Sequence, residues 1–180
     1  MLNWIINRQL DSLERSLGAS VDYLRHLARM SNSAFFKFMG FVPMAAHHGG
    51  TPRRMLFAAR FLATQREDCG TCVQIVVNQA IRENVSVEII QALIDDDPSG
   101  LDQETRLVVE FTRAVLDNTD DQERLREELR ASTGERAIVD LSLAIASARV
   151  FPMLKRSLGY AVSCQKVNLR IPQLAGADVS

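Results

Sequence analysis

Two cysteines separated by two residues, Cys69-Gly70-Thr71-Cys72, are the part of this sequence best suited to chemistry. Residues three apart on a helix share a face, with Cβ atoms about 5–6 Å apart, and a small adjustment of a first turn brings the sulfurs within disulfide range. The unpaired N–H groups and the dipole at a helix start also favour a thiolate over a thiol. The size of that preference matters. A cysteine of pKa near 8.5 is about 3% ionised at pH 7, whereas a pKa of about 7 makes it half ionised. Glu67 and Asp68 work against ionisation, because negative charge beside a thiol disfavours the anion.

The pair therefore reads first as a redox-capable dithiol. Two other readings use the same residues. Cysteine is often a small apolar core residue. Cys69 and Cys72 can also form half of a metal site completed by Cys164 and one of His26, His47 or His48. Structural zinc sites usually carry two close ligand pairs, and only one is present, so no metal and no cofactor are expected. Cys164, after the last helix, can be buried, pair with a partner subunit or act as a resolving thiol.

These residues must be positioned by helices. Leu2, Ile6, Leu10, Leu13 and Leu17 recur at steps of three and four up to Gly18, with Trp4 and Ile5 widening the stripe. Ser20 is expected to cap a second helix through Leu24 and Leu27. An apolar segment from Phe35 to Val42 breaks at Pro43, and His47-His48-Gly49-Gly50 reads as a loop. Thr51-Pro52 predicts the start of a helix carrying Met55 to Gln65. Asp68 is expected to cap the dithiol helix, which runs to about Glu83. Ser86 and Asp102 are expected to cap later helices, and Asp120 or Asp121 a short one. After Gly134 a long helix with Ala144, Ala146 and Ala148 runs toward Gly159 and contains Pro152.

No alternating apolar–polar stretch predicts a strand. The expectation is an all-α, single-domain helical bundle over residues 1–180. Residues 1–50 form N-terminal helices, 51–160 a dithiol-bearing core, and 161–180 a tail. Of 180 residues 47% are hydrophobic, and 21 basic against 22 acidic side chains leave a net charge of −1 without basic blocks, which argues against nucleic acid. Residues 138–154 contain Asp140, Arg149 and Pro152, a poor membrane span. The N-terminus lacks the layout of a secretory signal, so the expected compartment is the cytoplasm.

The order of features resembles the carboxymuconolactone decarboxylase / alkylhydroperoxidase D-like superfamily over roughly residues 35–160. A helix from Arg53-Arg54-Met55-Leu56 leads to the dithiol. The stretch from Glu83 to Leu93, the segment Thr105-Arg106-Leu107-Val108-Val109-Glu110-Phe111, and the long helix around Ala144 to Leu158 follow in turn. The resemblance implies an all-α bundle of the alkylhydroperoxidase D-like type, a homo-oligomer with the dithiol near a subunit interface, a small peroxide or disulfide substrate and a thiol reductant. It also implies that Cys72 attacks the peroxide and Cys69 resolves it, whereas a thioredoxin-like analogy reverses these roles. The family pattern places a histidine at the position of Val76 and a glutamate at that of Phe57, and neither residue present can move a proton.

Candidate substitutes are Glu67, Gln79, His47 and His48, with Arg149, Lys155 and Arg156 as sources of positive charge and Arg149 ranked first. The expected activity is thiol–disulfide oxidoreduction or hydroperoxide reduction. The alternatives are a lactone decarboxylase-like enzyme, or a non-enzymatic oligomeric helical protein that lost the relay.

Overall fold

The computed structural model describes residues 2–161. The first apolar stripe becomes α1 (Leu2–Leu17), which buries Ile6 and Leu10. These meet Tyr23, Leu24 and Ala28 of α2 (Asp22–Met30) and Phe35 of α3 (Asn32–Met39). Trp4 is 65% exposed and Ile5 47%, so the buried stripe is narrower than the sequence pattern. Pro43 falls in the first turn of the short α4 (Val42–Ala45), where its missing N–H leaves no bond unmade.

A larger core surrounds α5 (Arg53–Arg66). Met55, Leu56, Phe57, Ala58, Ala59, Phe61, Leu62 and Ala63 are all buried, so most of the surface of this helix needs packed neighbours. They are α6 (Gly70–Arg82), α8 (Gln103–Asp117) and α10 (Glu135–Ser157). The α7 helix (Val87–Ile94) and α9 (Gln122–Thr133) close the bundle, and no strand occurs among the described residues. By length and composition α10 is apolar enough to cross a membrane, but Leu141, Ala144 and Ser147 are packed inside the bundle. Its far end joins the two cores: Leu154, Leu158 and Tyr160 pack against the N-terminal cluster.

Two expected caps form. Ser86 Oγ accepts from the Ile89 N–H at 3.4 Å, and the Asp102 carboxylate from the Thr105 N–H at 3.0 Å. Three differ. Val21 precedes α2, and Ser20, one residue further out, accepts from the Asp22 N–H at 3.2 Å while its hydroxyl donates to the Asp22 carboxylate at 2.7 Å. Asp68 takes a left-handed φ of 51°, leaving Cys69 as the residue that begins α6. Pro52 precedes α5, and Thr51, one residue outside the helix, donates its hydroxyl to Asp140 Oδ2 at 2.8 Å. A bond to a charged acceptor contributes about 1.5–3 kcal/mol and holds Thr51 at the buried carboxylate.

Asp140 also accepts from His47 Nε2 at 2.9 Å, and it is only 2% exposed. Burial acts to raise its pKa, but the bonds from Thr51 and His47 prevail and hold it below the usual value. The loop between α4 and α5 is thereby fastened to α10. Gly49 turns that loop at φ +46°, where an added Cβ would lie 2.1 Å from Asp140 Oδ2, while Gly50 has open space. Gly49→Ala is expected to cost about 1–3 kcal/mol in urea unfolding, and Gly50→Ala a few tenths at most.

Candidate functional site

The dithiol is placed by the turn from α5 into α6. Glu67 ends α5 and is buried, with its carboxylate accepting from Arg149 Nε at 2.6 Å and from Arg156 at 2.5 Å. Arg149, ranked first from sequence as a cation for the thiolate, thus serves Glu67. Two guanidiniums offset the negative charge beside Cys69 and clamp the turn to α10. The chain then reverses at Asp68 and enters α6 with Cys69 as its first flanking residue and Cys72 in its first turn.

The two cysteines differ in access and acidity. Cys69 is buried and Cys72 half-buried. Cys69 makes no close capping bond to the helix start; its main partner is the Cys72 thiol, which donates to its sulfur. That hydrogen bond brings the Cys69 pKa down to about 6, against burial, with help from the Cys72 N–H and the positive charges of Lys155 and Arg156. The same bond, with burial and the Cys69 charge, pushes the Cys72 thiol up. Of the two, Cys69 is the more acidic thiol and Cys72 the weaker acid.

Cys72 lies on the wall of a cavity of about 360 Å³, and Cys69 stands behind it, outside that lining. The cavity separates the two hydrophobic cores. One wall comes from α1, α2 and α3, including Leu13, Leu24 and Phe38; the other from α5, α6 and α10, including Thr64, Ile75 and Phe151. Val76 and Gln79 extend the Cys72 face along α6. Gln79 can orient a polar group but cannot act as a base near neutral pH.

The histidines are elsewhere. His47 is held by Asp140, and the exposed His48 meets only the Gly49 carbonyl, at 3.5 Å. Neither lines the cavity. His26 faces Tyr160, with its Nδ1 2.9 Å from the phenol oxygen. Phe57 is in the main core against Phe61, with ring centroids 5.6 Å apart. Among the described residues no three His, Cys, Asp or Glu side chains could hold a metal ion. Cys164 lies outside the described residues. A second, polar groove near Asn7 and Tyr160 contains no cysteine, and its Arg25 is paired with Asp11 at 2.5 Å and Glu14 at 2.6 Å.

Two residues that sequence reasoning did not select join the site. Tyr23 lines the cavity from α2, and its pKa is raised by burial and then by the neighbouring charges of Cys72 and Cys69. Its phenol keeps its proton and can donate a hydrogen bond. Arg60 reaches the cavity from α5. Both come from separate helices, and no short motif announces them. The chain matches no family model, no curated protein and no solved structure.

The thiolate assignment has a direct readout. Ultraviolet titration of the reduced protein is expected to show one cysteine ionising near pH 6. That step is expected to disappear in Cys69→Ser and to move upward in Cys72→Ala, which lacks the S–H donor.

Proposed function

We propose that this protein is a thiol–disulfide oxidoreductase or hydroperoxide reductase whose working group is the Cys69–Cys72 dithiol. One observation carries the reading: Cys69 and Cys72 share the start of α6, with Cys72 on the wall of a mostly apolar cavity and Cys69 buried behind it. An oxidant entering the cavity meets the Cys72 sulfur first. Its attack requires loss of the thiol proton, and the hydrogen-bonded Cys69 thiolate is the base in position to take it.

For an organic hydroperoxide the steps balance as follows. The Cys72 proton moves to Cys69, and the Cys72 sulfur attacks the terminal oxygen of ROOH, breaking the O–O bond. Cys72 becomes a sulfenic acid and RO⁻ departs, taking the proton back from Cys69 to give ROH. The Cys69 thiolate then attacks the Cys72 sulfur, forming the disulfide and releasing hydroxide. The peroxide is reduced by two electrons, the dithiol is oxidised by two, and a small thiol reductant restores it. Cys69 is thus proton carrier and resolving thiol in turn.

This division of labour supplies a relay where Val76 and Phe57 can offer none. It agrees with the roles implied by the resemblance to the alkylhydroperoxidase D-like superfamily, which we keep as part of this proposal. The succession of a buried helix, a turn and a dithiol helix supports it. The proton must climb from an elevated Cys72 pKa to a depressed Cys69 one, so turnover is slow. Tyr23, protonated at every physiological pH, is the remaining donor for the leaving oxygen.

Peroxide consumption with a thiol reductant is expected to rise as pH increases through about 6 and then level off, because Cys69 must be ionised. Cys72→Ser is expected to abolish turnover, Cys69→Ser to remove base and resolving thiol together so that peroxide loss falls by about 10²-fold or more and no disulfide forms, and Tyr23→Phe to lower the rate by about 10-fold or more. Absence of both peroxide loss and a Cys69–Cys72 disulfide in the wild type would rule the reading out.

A further inference from the structure

The cavity beside Cys72 is apolar over most of its wall, yet an unneutralised cation reaches it from α5. One Arg60 terminal nitrogen donates to the His47 carbonyl at 2.6 Å, while its Nε is buried without any hydrogen-bond partner. Among the described residues no carboxylate forms an ion pair with it. Glu83 borders the same cavity, but it is exposed at the end of α6 and reaches Arg60 only by its longer-range field. Burial is the main influence on the guanidinium and disfavours its charge, which Glu83 partly offsets and Arg53 opposes. A guanidinium cannot shed its proton in a protein, so the Arg60 charge stays at the cavity wall without a carboxylate partner.

The surroundings define that acceptor. Thr64 follows Arg60 by one helical turn and also lines the cavity, placing a hydroxyl beside the cation. Planar N–H groups in an apolar setting match a carboxylate in geometry as well as charge. Beyond this polar spot the wall is mostly apolar, with Leu24, Phe38, Val76 and Phe151, while Lys155, Arg82 and Gln79 add polar groups elsewhere on it. A volume of about 360 Å³ holds about a dozen non-hydrogen atoms at roughly 30 Å³ each.

We propose that the cavity binds an amphipathic monocarboxylate of about eight to ten carbons, with its carboxylate on Arg60 and its chain along the apolar wall beside Cys72. As a statement about what the dithiol acts on, this rests on the redox reading above. As a statement about binding it needs no turnover, so the two fail separately.

The test is calorimetric titration of the reduced full chain with octanoate and with octan-1-ol. Octanoate is expected to bind at least about tenfold more tightly than the alcohol. Arg60→Gln is expected to bring octanoate down to the alcohol's affinity while leaving the alcohol unchanged. Because Arg60 also supports the His47 loop, Val76→Trp provides a second variant that fills the cavity from α6. It is expected to lose both ligands and keep the thiolate titration near pH 6. Equal wild-type affinity for acid and alcohol, undiminished octanoate binding in Arg60→Gln, or undiminished binding of both ligands in Val76→Trp would overturn the proposal. Reduction of a small uncharged hydroperoxide without octanoate binding would overturn the ligand class and leave the redox reading intact. Octanoate binding without any dithiol oxidation would do the reverse.

Discussion

A buried carboxylate must find partners, and Glu67 finds them on α10. Removing an unpaired carboxylate from water costs several kcal/mol, so the α5–α6 turn is stable only where Arg149 and Arg156 meet it. That requirement fixes the position of the turn along α10. It forces the reversal at Asp68 and sets Cys69 at the start of α6. It also brings Lys155 and Arg156 within electrostatic reach of the Cys69 sulfur. One ion-pair cluster thus joins two helices and shapes the field around the dithiol.

Within that field the two cysteines divide what a single nucleophile usually combines. Acidity belongs to the buried Cys69 and access to Cys72. The hydrogen bond between them is the main reason for the difference in acidity, since donating to one sulfur lowers its pKa and raises that of the donor. Access follows from the larger architecture. The N-terminal helices build a separate core and lie over the main bundle, leaving a cavity where α6 would otherwise be covered. Cys72, Val76 and Gln79 are one helical face of that cavity, so substrate entry and thiol orientation have the same origin.

Much of this was legible in the sequence because it depends on local spacing. The i, i+3 cysteines, the caps at Ser86 and Asp102, and the all-helical class each rest on neighbours within one or two turns. The misreadings share the opposite cause. Thr51 has the type and place of a cap, yet Pro52 flanks α5 and Thr51 sits at Asp140, 89 residues away. Arg149 looked available to a thiolate, yet Glu67, 82 residues away, claims its guanidinium. Tyr23 and Arg60 join the site only when α2 and α5 face each other across the cavity, and nothing in their immediate sequence distinguishes them from packing and surface residues. His47 and His48 were reasonable candidates by type, and the loop carrying them is fastened away from the sulfurs.

The central claim is that Cys69 and Cys72 exchange between dithiol and disulfide under cellular conditions. Equilibration of the protein with glutathione buffers of graded poise, followed by counting of free thiols, tests it most directly. A depressed thiolate pKa stabilises the reduced form, so the account predicts a single two-electron transition at or above about −270 mV. A pair that never oxidises, or one that stays locked as a disulfide below about −300 mV, would contradict it.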